Sequence, residues 1–250
     1  MAARKAKPRG RKSLDARGAL ASTSGTATPL GPGAIPSSGS PAQPLTSLDI
    51  FFRCIERAQN CIKIHEAAHG RQARPEPFLS DAHRAAIVLA ISALDSFVRS
   101  FVTSNVRRVL GDKTSPIPAA LNTRIKSYLK DDDLLEAARK DDLLDRVERA
   151  LRADFEKRSF QGTKSITEAF ELLGHKDIFH EVARSAGVNE EDLRERLDGF
   201  TQRRHDIAHR GDYDISQNPP LEYAVTKKDA EDCIKIVETV AIHIDKVGVK

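Results

Sequence analysis

The residues best suited to chemistry lie in one stretch, Arg203 to Asp212 (RRHDIAHRGD), which holds two histidines four positions apart, an acid directly after the first, and three arginines. Three readings use these residue types. On a helix, His205 and His209 lie about 40° apart around the axis, so both imidazoles project from one face and can reach one metal ion. With Asp206 the string HDIAH is one methylene short of the H-E-x-x-H of zinc peptidases, in which the acid polarises the bound water. The shorter acid sits farther from that water, and charged flanks replace the apolar helix such a site needs. Ile215 stands where an extended motif places a third His, which leaves only the distant Glu231 as a third ligand. Phosphate chemistry needs no metal. An imidazole, with an unperturbed pKa of about 6.5, takes the proton from a ribose 2′-hydroxyl, which attacks the adjacent phosphate while a guanidinium pairs with the nonbridging oxygens. Arg204 and His209 supply those groups, although on an ideal helix they point about 140° apart. The third reading is inert: the helix dipole favours a His near the C-terminus, Gly211 is where a helix stops, and Arg203, Arg204 and Arg210 are then surface residues.

Such residues need a frame, and the periodicity from Thr46 onward is helical almost throughout. Thr46, with Asp49 three residues on, is placed to cap a helix apolar at Ile50, Phe51, Cys54, Ile55, Ala58, Cys61 and Ile62, which RPEPF ends. Ser80 is expected to cap a second, long helix closed by Gly111. It contains AAIVLAISAL, Ala85 to Leu94, a run too short to span a bilayer and apolar on most faces, which places this helix at the centre of a bundle. Asp95 interrupts that apolar helix. A carboxylate in a core is unfavourable unless paired, and the expected partner is Arg204 or His209. Between residues 112 and 188 the acids of DDDLLEAARKDDLLDRVERALRADFEKRS interleave with Arg and Lys at helical spacing, which predicts an ion-paired, solvated face rather than a cation site. Asn189, followed by acids, starts the helix that ends in RRHDIAHR. GDYDISQNPPLEYAV reads as a loop, and Thr226 with Asp229 opens the last helix as a capping box. No segment alternates as a strand should, so the class is all-α, with sites expected between helices.

Charge and composition divide the 250 residues unevenly. Seven of the 40 basic residues but one of the 36 acidic ones lie in the first 47, so residues 48 to 250 carry 33 against 35 and are near neutral. The sequence pI of about 9.0 therefore belongs to the tail and does not mark a basic fold. That tail is a basic tip followed by a Gly-, Pro- and Ser-rich stretch without charge, expected to be disordered and to attract polyanions only nonspecifically. It lacks the apolar core of a secretory signal. Cys54, Cys61 and Cys233 are an odd number without CxxC spacing, so neither a disulfide framework nor a thiolate zinc site is indicated, and a reducing cytoplasm is the expected compartment.

Arg204, polar His205 and then His209 form an Arg-x4-His string, and here the sequence resembles the HEPN superfamily of helical ribonucleases and toxins. The helix around Asp95, AAIVLAISALDSFVRSFV, looks like the first core helix of its RiboL-PSP-HEPN branch, and RRHDIAHRGD resembles that branch's signature helix. The resemblance implies a HEPN-type helical bundle over residues 48 to 250 with a charged helical insertion around 112 to 188. It implies a metal-independent endoribonuclease with no cofactor, an RNA substrate, and a homodimer whose site forms where two signature helices meet. It also implies a role in toxin or phage-defence biology, with an antitoxin or defence partner and no membrane. On this reading His209 is the general base, Arg204 the transition-state clamp, and His205 orients the phosphate or protonates the leaving oxygen, with Asp95 and Arg210 in support. One departure stands out: where the toxin branch paired with a nucleotidyltransferase carries a Tyr two residues beyond the His, this chain has Gly211, with Tyr213 further on. A noncatalytic RNA- or protein-binding module of the same fold remains as the alternative, and zinc hydrolysis through His205 and His209 ranks behind both.

Overall fold

A helix apolar on nearly every face must be surrounded, and that requirement organises the molecule. The computed structural model describes residues 45 to 69 and 77 to 248, all within one compact unit; the expected disordered tail, residues 1 to 47, lies outside the described residues up to position 44. Helix α1 (Ser47–His69) is followed by a 3-10 turn (Pro77–Ser80) and by the central helix α2 (Asp81–Gly111). Ala86, Ile87, Ala90, Ile91, Leu94, Val98 and Val102 of α2 are wholly buried. The helix is long and apolar enough to cross a membrane by length and composition, yet 56% of its most apolar stretch is buried inside the bundle, as in the core helix of a folded domain.

Around α2 pack α1, α9 (Lys227–Val247), α8 (Glu190–Arg210) and α5 (Leu143–Phe155). Helices α3 (Ala119–Tyr128), α4 (Asp131–Lys140), α6 (Thr163–Glu171) and α7 (Ile178–Ala186) complete the described set. The charged segment behaves as its spacing predicts. Arg146 pairs with Asp142 at 2.9 Å and Arg152 with Glu148 at 2.7 Å, each four residues apart, while Arg107 of α2 reaches Asp145 at 2.7 Å. Its apolar face, Val147, Leu151 and Phe155, is buried.

The caps follow their sequence signals at three of four sites. Thr46 Oγ1 accepts from the Asp49 N–H, Asn189 Oδ1 from the Asp192 N–H, and Thr226 exchanges hydrogen bonds with Asp229. Ser80 does not cap α2. The preceding 3-10 turn already holds it in a helical conformation, and its hydroxyl accepts from Arg84 Nη1 at 2.8 Å instead. The expected loop after α8 contains a two-residue antiparallel ladder, β1 (Tyr213–Asp214) with β2 (Leu221–Glu222), too short for alternation to register in the sequence.

The expected partner of Asp95 is also corrected. Its Oδ1 accepts the Phe160 N–H at 2.6 Å, and Arg99 Nη2 approaches at 3.4 Å; neither Arg204 nor His209 bonds to it. The reason is axial. The residue of α2 that meets the end of α8 is Arg84, and Asp95 lies eleven residues, about 16 Å, further along the helix.

Candidate functional site

Helix α8 is held to the bundle by Leu193 and Leu197 and runs unbroken to Arg210, where Gly211 turns left-handed at φ +63. The angular relations of an ideal helix therefore hold in its last turns. His205 and His209 share one exposed flank, their ring centroids 4.6 Å apart and their planes inclined at 47°. Arg204 lies on another flank, half-buried, and its Nε is a buried donor without a hydrogen-bond partner. Buried donors are rarely left so. Asp206 is occupied: it accepts from Gln202 at 3.1 Å and pairs with Arg210 at 3.2 Å. Arg210 thus steadies the acid between the two histidines.

The device that fixes this helix end was not visible in the sequence. Asp212 follows Gly211 at φ +66, its N–H donates to the Asp206 carbonyl at 3.1 Å, and its carboxylate is wholly buried. Oδ2 accepts from Arg84 Nε and from Arg203 Nη2, both at 2.8 Å. Arg84 also reaches Glu222 at 2.7 Å, Asp81 at 3.0 Å and the Tyr223 carbonyl at 2.9 Å. Arg203 donates to the Ala224 carbonyl at 3.0 Å, with its guanidinium 5.1 Å from the centre of the Tyr223 ring. One buried anion is thereby shared by two cations, and the start of α2, the end of α8 and the β1–β2 ladder are tied at one point. Burial alone would lower the pKa of Arg84, but the hydrogen bonds to Asp212 and Asp81, with the charges of Glu222 and Asp212, hold it above the ordinary arginine value.

Arg84 and Asp212, together with Glu222 and Tyr223, are site residues that sequence reasoning missed, and Arg203, a surface residue on the inert reading, belongs with them. One signal was present. Arg84 falls on the stripe formed by Ile87, Ile91 and Leu94, and an arginine on a buried stripe requires a carboxylate partner.

For a metal, the histidine pair supplies two ligands. Among the described residues no group of three or more His, Cys, Asp or Glu side chains is placed to hold an ion. Glu231, the distant third candidate, instead pairs with Lys227 at 3.3 Å.

The family model RiboL-PSP-HEPN matches residues 49–247, from the first turn of α1 to the last residue of α9. The chain belongs to the RiboL-PSP-HEPN family. No curated protein and no solved structure gives a significant match. As a HEPN domain the chain falls, in general terms, in a class of nuclease and RNA-binding modules. Within it, α8 is the helix bearing the Arg-x4-His string. The position two beyond His209 is a helix stop, where a Cβ would sit 3.6 Å from the Tyr213 ring and the backbone is left-handed. A tyrosine at that position would strain the turn.

Proposed function

We propose that this HEPN domain is a metal-independent endoribonuclease. The observation that carries the reading is the exposed His205–His209 pair on a helix end locked by the buried Arg84–Asp212–Arg203 cluster, beside an Arg204 whose buried Nε has no partner. His209 removes the 2′-hydroxyl proton, and the freed oxygen attacks the adjacent phosphorus. Arg204 pairs with the nonbridging oxygens as charge builds there, and His205, in imidazolium form, returns a proton to the leaving 5′-oxygen. The products are a 2′,3′-cyclic phosphate and a free 5′-hydroxyl.

Within one chain Arg204 and His209 lie on different flanks of α8, so the site is completed by a second copy, with Arg204 of one protomer and His209 of its partner meeting at a shared groove. Toxin or phage-defence biology is the role proposed for such an activity, by analogy with the family. The separation of Arg204 from His209 in the single chain favours one second reading, a noncatalytic RNA-binding module.

Incubating purified protein with RNA in EDTA separates the two. The nuclease yields 2′,3′-cyclic phosphate ends and His209→Ala abolishes them. RNA that stays intact, or cleavage that persists in His209→Ala, overturns the proposal.

A further inference from the structure

The residue directly before Arg84 is a buried polar side chain that has no partner. His83, in the first turn of α2, is 3% exposed, and neither of its ring nitrogens makes a hydrogen bond. Buried polar groups are rarely left so. Its ring is stacked on that of His65 from α1, with centroids 4.0 Å apart and planes inclined at 39°. His65 is only half-buried and covers one face of the enclosed ring.

This seat suits a neutral ring. An imidazolium there would have no acceptor bonded to it, would lie against a second imidazole, and would stand at the positive end of the α2 dipole. Among the described residues, the charged groups that face it divide by sign. Lys227 and His65 oppose a proton and Asp229 and Glu231 favour one, but burial is the largest influence and holds the pKa below the usual histidine value. Glu66, on α1, also feels the His83 charge, but its carboxylate is taken by Lys227. Asp81, in the same turn, is bound to Arg84 at 3.0 Å.

Because the ring is enclosed, a proton on it is hydrated only if the backbone that carries it moves. Arg84 makes its contacts to Asp212, Ser80 and the Tyr223 carbonyl from that same turn. A shift that brings His83 to water carries Arg84 along, and hydrogen bonds as short and directional as these do not survive it. We propose that the His65–His83 stack is a proton-operated latch: a proton taken up by His83 opens the first turn of α2 and, through Arg84, releases Asp212 and the end of α8. The latch regulates the helix end on which the nuclease reading rests, and on that reading acid loosens the support of His205 and His209. The opening itself occurs whether or not RNA is cut.

The test is amide hydrogen exchange in the full chain, followed by NMR at about pH 7.5 and about pH 5.5 and corrected for the intrinsic pH dependence of exchange. The reporters are the Asp212 N–H, bound to the Asp206 carbonyl, and the Tyr223 N–H, bound to the Asp212 carbonyl. The N–H of Val240, in the wholly buried part of α9, reports unfolding of the whole domain. An open state with an ordinary imidazole pKa of about 6.5 gains about tenfold over that interval when the closed state takes up no proton. The opening constants at Asp212 and Tyr223 are therefore expected to lie above that at Val240 and to rise by up to about tenfold. The rise should vanish in His83→Gln and shrink in His65→Ala, where water reaches the ring and hydrates the proton in place. No rise in the wild type, or opening constants equal to that at Val240, overturns the latch. An undiminished rise in either variant does the same, so a His83→Gln chain that fails to fold leaves His65→Ala to decide. No cleavage is read, so failure of the nuclease reading leaves this result standing.

Discussion

Arg84, in the first turn of α2, donates from Nε to Oδ2 of Asp212 at 2.8 Å across 128 residues of chain, and that carboxylate is completely buried. The same oxygen serves Arg203, so removing the acid leaves two cations facing each other in a partly dry site. Breaking a buried pair from one side typically costs about 3–5 kcal/mol. Asp212→Ala is expected to lose stability in that range by urea denaturation. Asp212→Asn keeps an acceptor and a residue type tolerant of the left-handed backbone, and should lose less. An Asp212→Ala protein as stable as the wild type would mean the cluster does not hold the helix end.

Two glycines of the same region should respond in opposite directions. At Gly199 a Cβ has open space, so Gly199→Ala is expected to stabilise by up to about 1 kcal/mol through helix propensity. At Gly211, φ is +63 and the Tyr213 ring lies 3.6 Å from an added Cβ, so Gly211→Val is expected to destabilise by about 1–2 kcal/mol. Thermal or urea unfolding of the two variants reads both signs at once.

His83 makes stability depend on pH. It is 3% exposed, its ring lies 4.0 Å from that of His65, and neither ring nitrogen has a hydrogen-bond partner. Burial pushes its pKa below the usual histidine value. The charges of His65 and Lys227 act the same way, while Asp229 and Glu231 oppose them. The unfolded chain therefore takes up a proton at about pH 6.5 that the folded chain refuses. Its contribution is complete above that pH and falls as the pH drops toward the folded-state value. Between about pH 7.5 and about pH 5.5 the urea midpoint of the wild type should fall further than that of His83→Gln. Equal falls in the two proteins would remove His83 as the source.

How much of this was legible in the sequence depends on the range of the interaction. Thr46, Asn189 and Thr226 declared their helix starts because a cap is satisfied within three residues. Gly211 declared a stop because its left-handed backbone is a local property. The α2 core was readable from Ala85 to Leu94, since continuous apolarity needs neighbours on every side. The partner of Asp95 is not legible, because helical spacing gives the direction of a side chain but not how far along a neighbouring helix it meets a partner; that register belongs to the packed bundle. The Arg84–Asp212 contact was hidden for the same reason, since 128 residues separate its ends. Arg203 reads as a surface charge until the chain beyond Gly211 folds back to present Asp212, Tyr223 and Ala224. At the site itself the pairing of His205 with His209 was readable from an i, i+4 spacing, and so was their angle to Arg204.

The central claim is that Arg204 of one protomer and His209 of another act on one phosphodiester, and mixing two inactive variants tests it most directly. Arg204→Ala and His209→Ala proteins should each leave RNA uncut. Unfolded and refolded together in equal amounts, they should recover about a quarter of the wild-type rate, because half of the dimers then carry one intact site. A mixture as inactive as its components, beside a wild-type protein that cuts, would contradict a site shared between protomers.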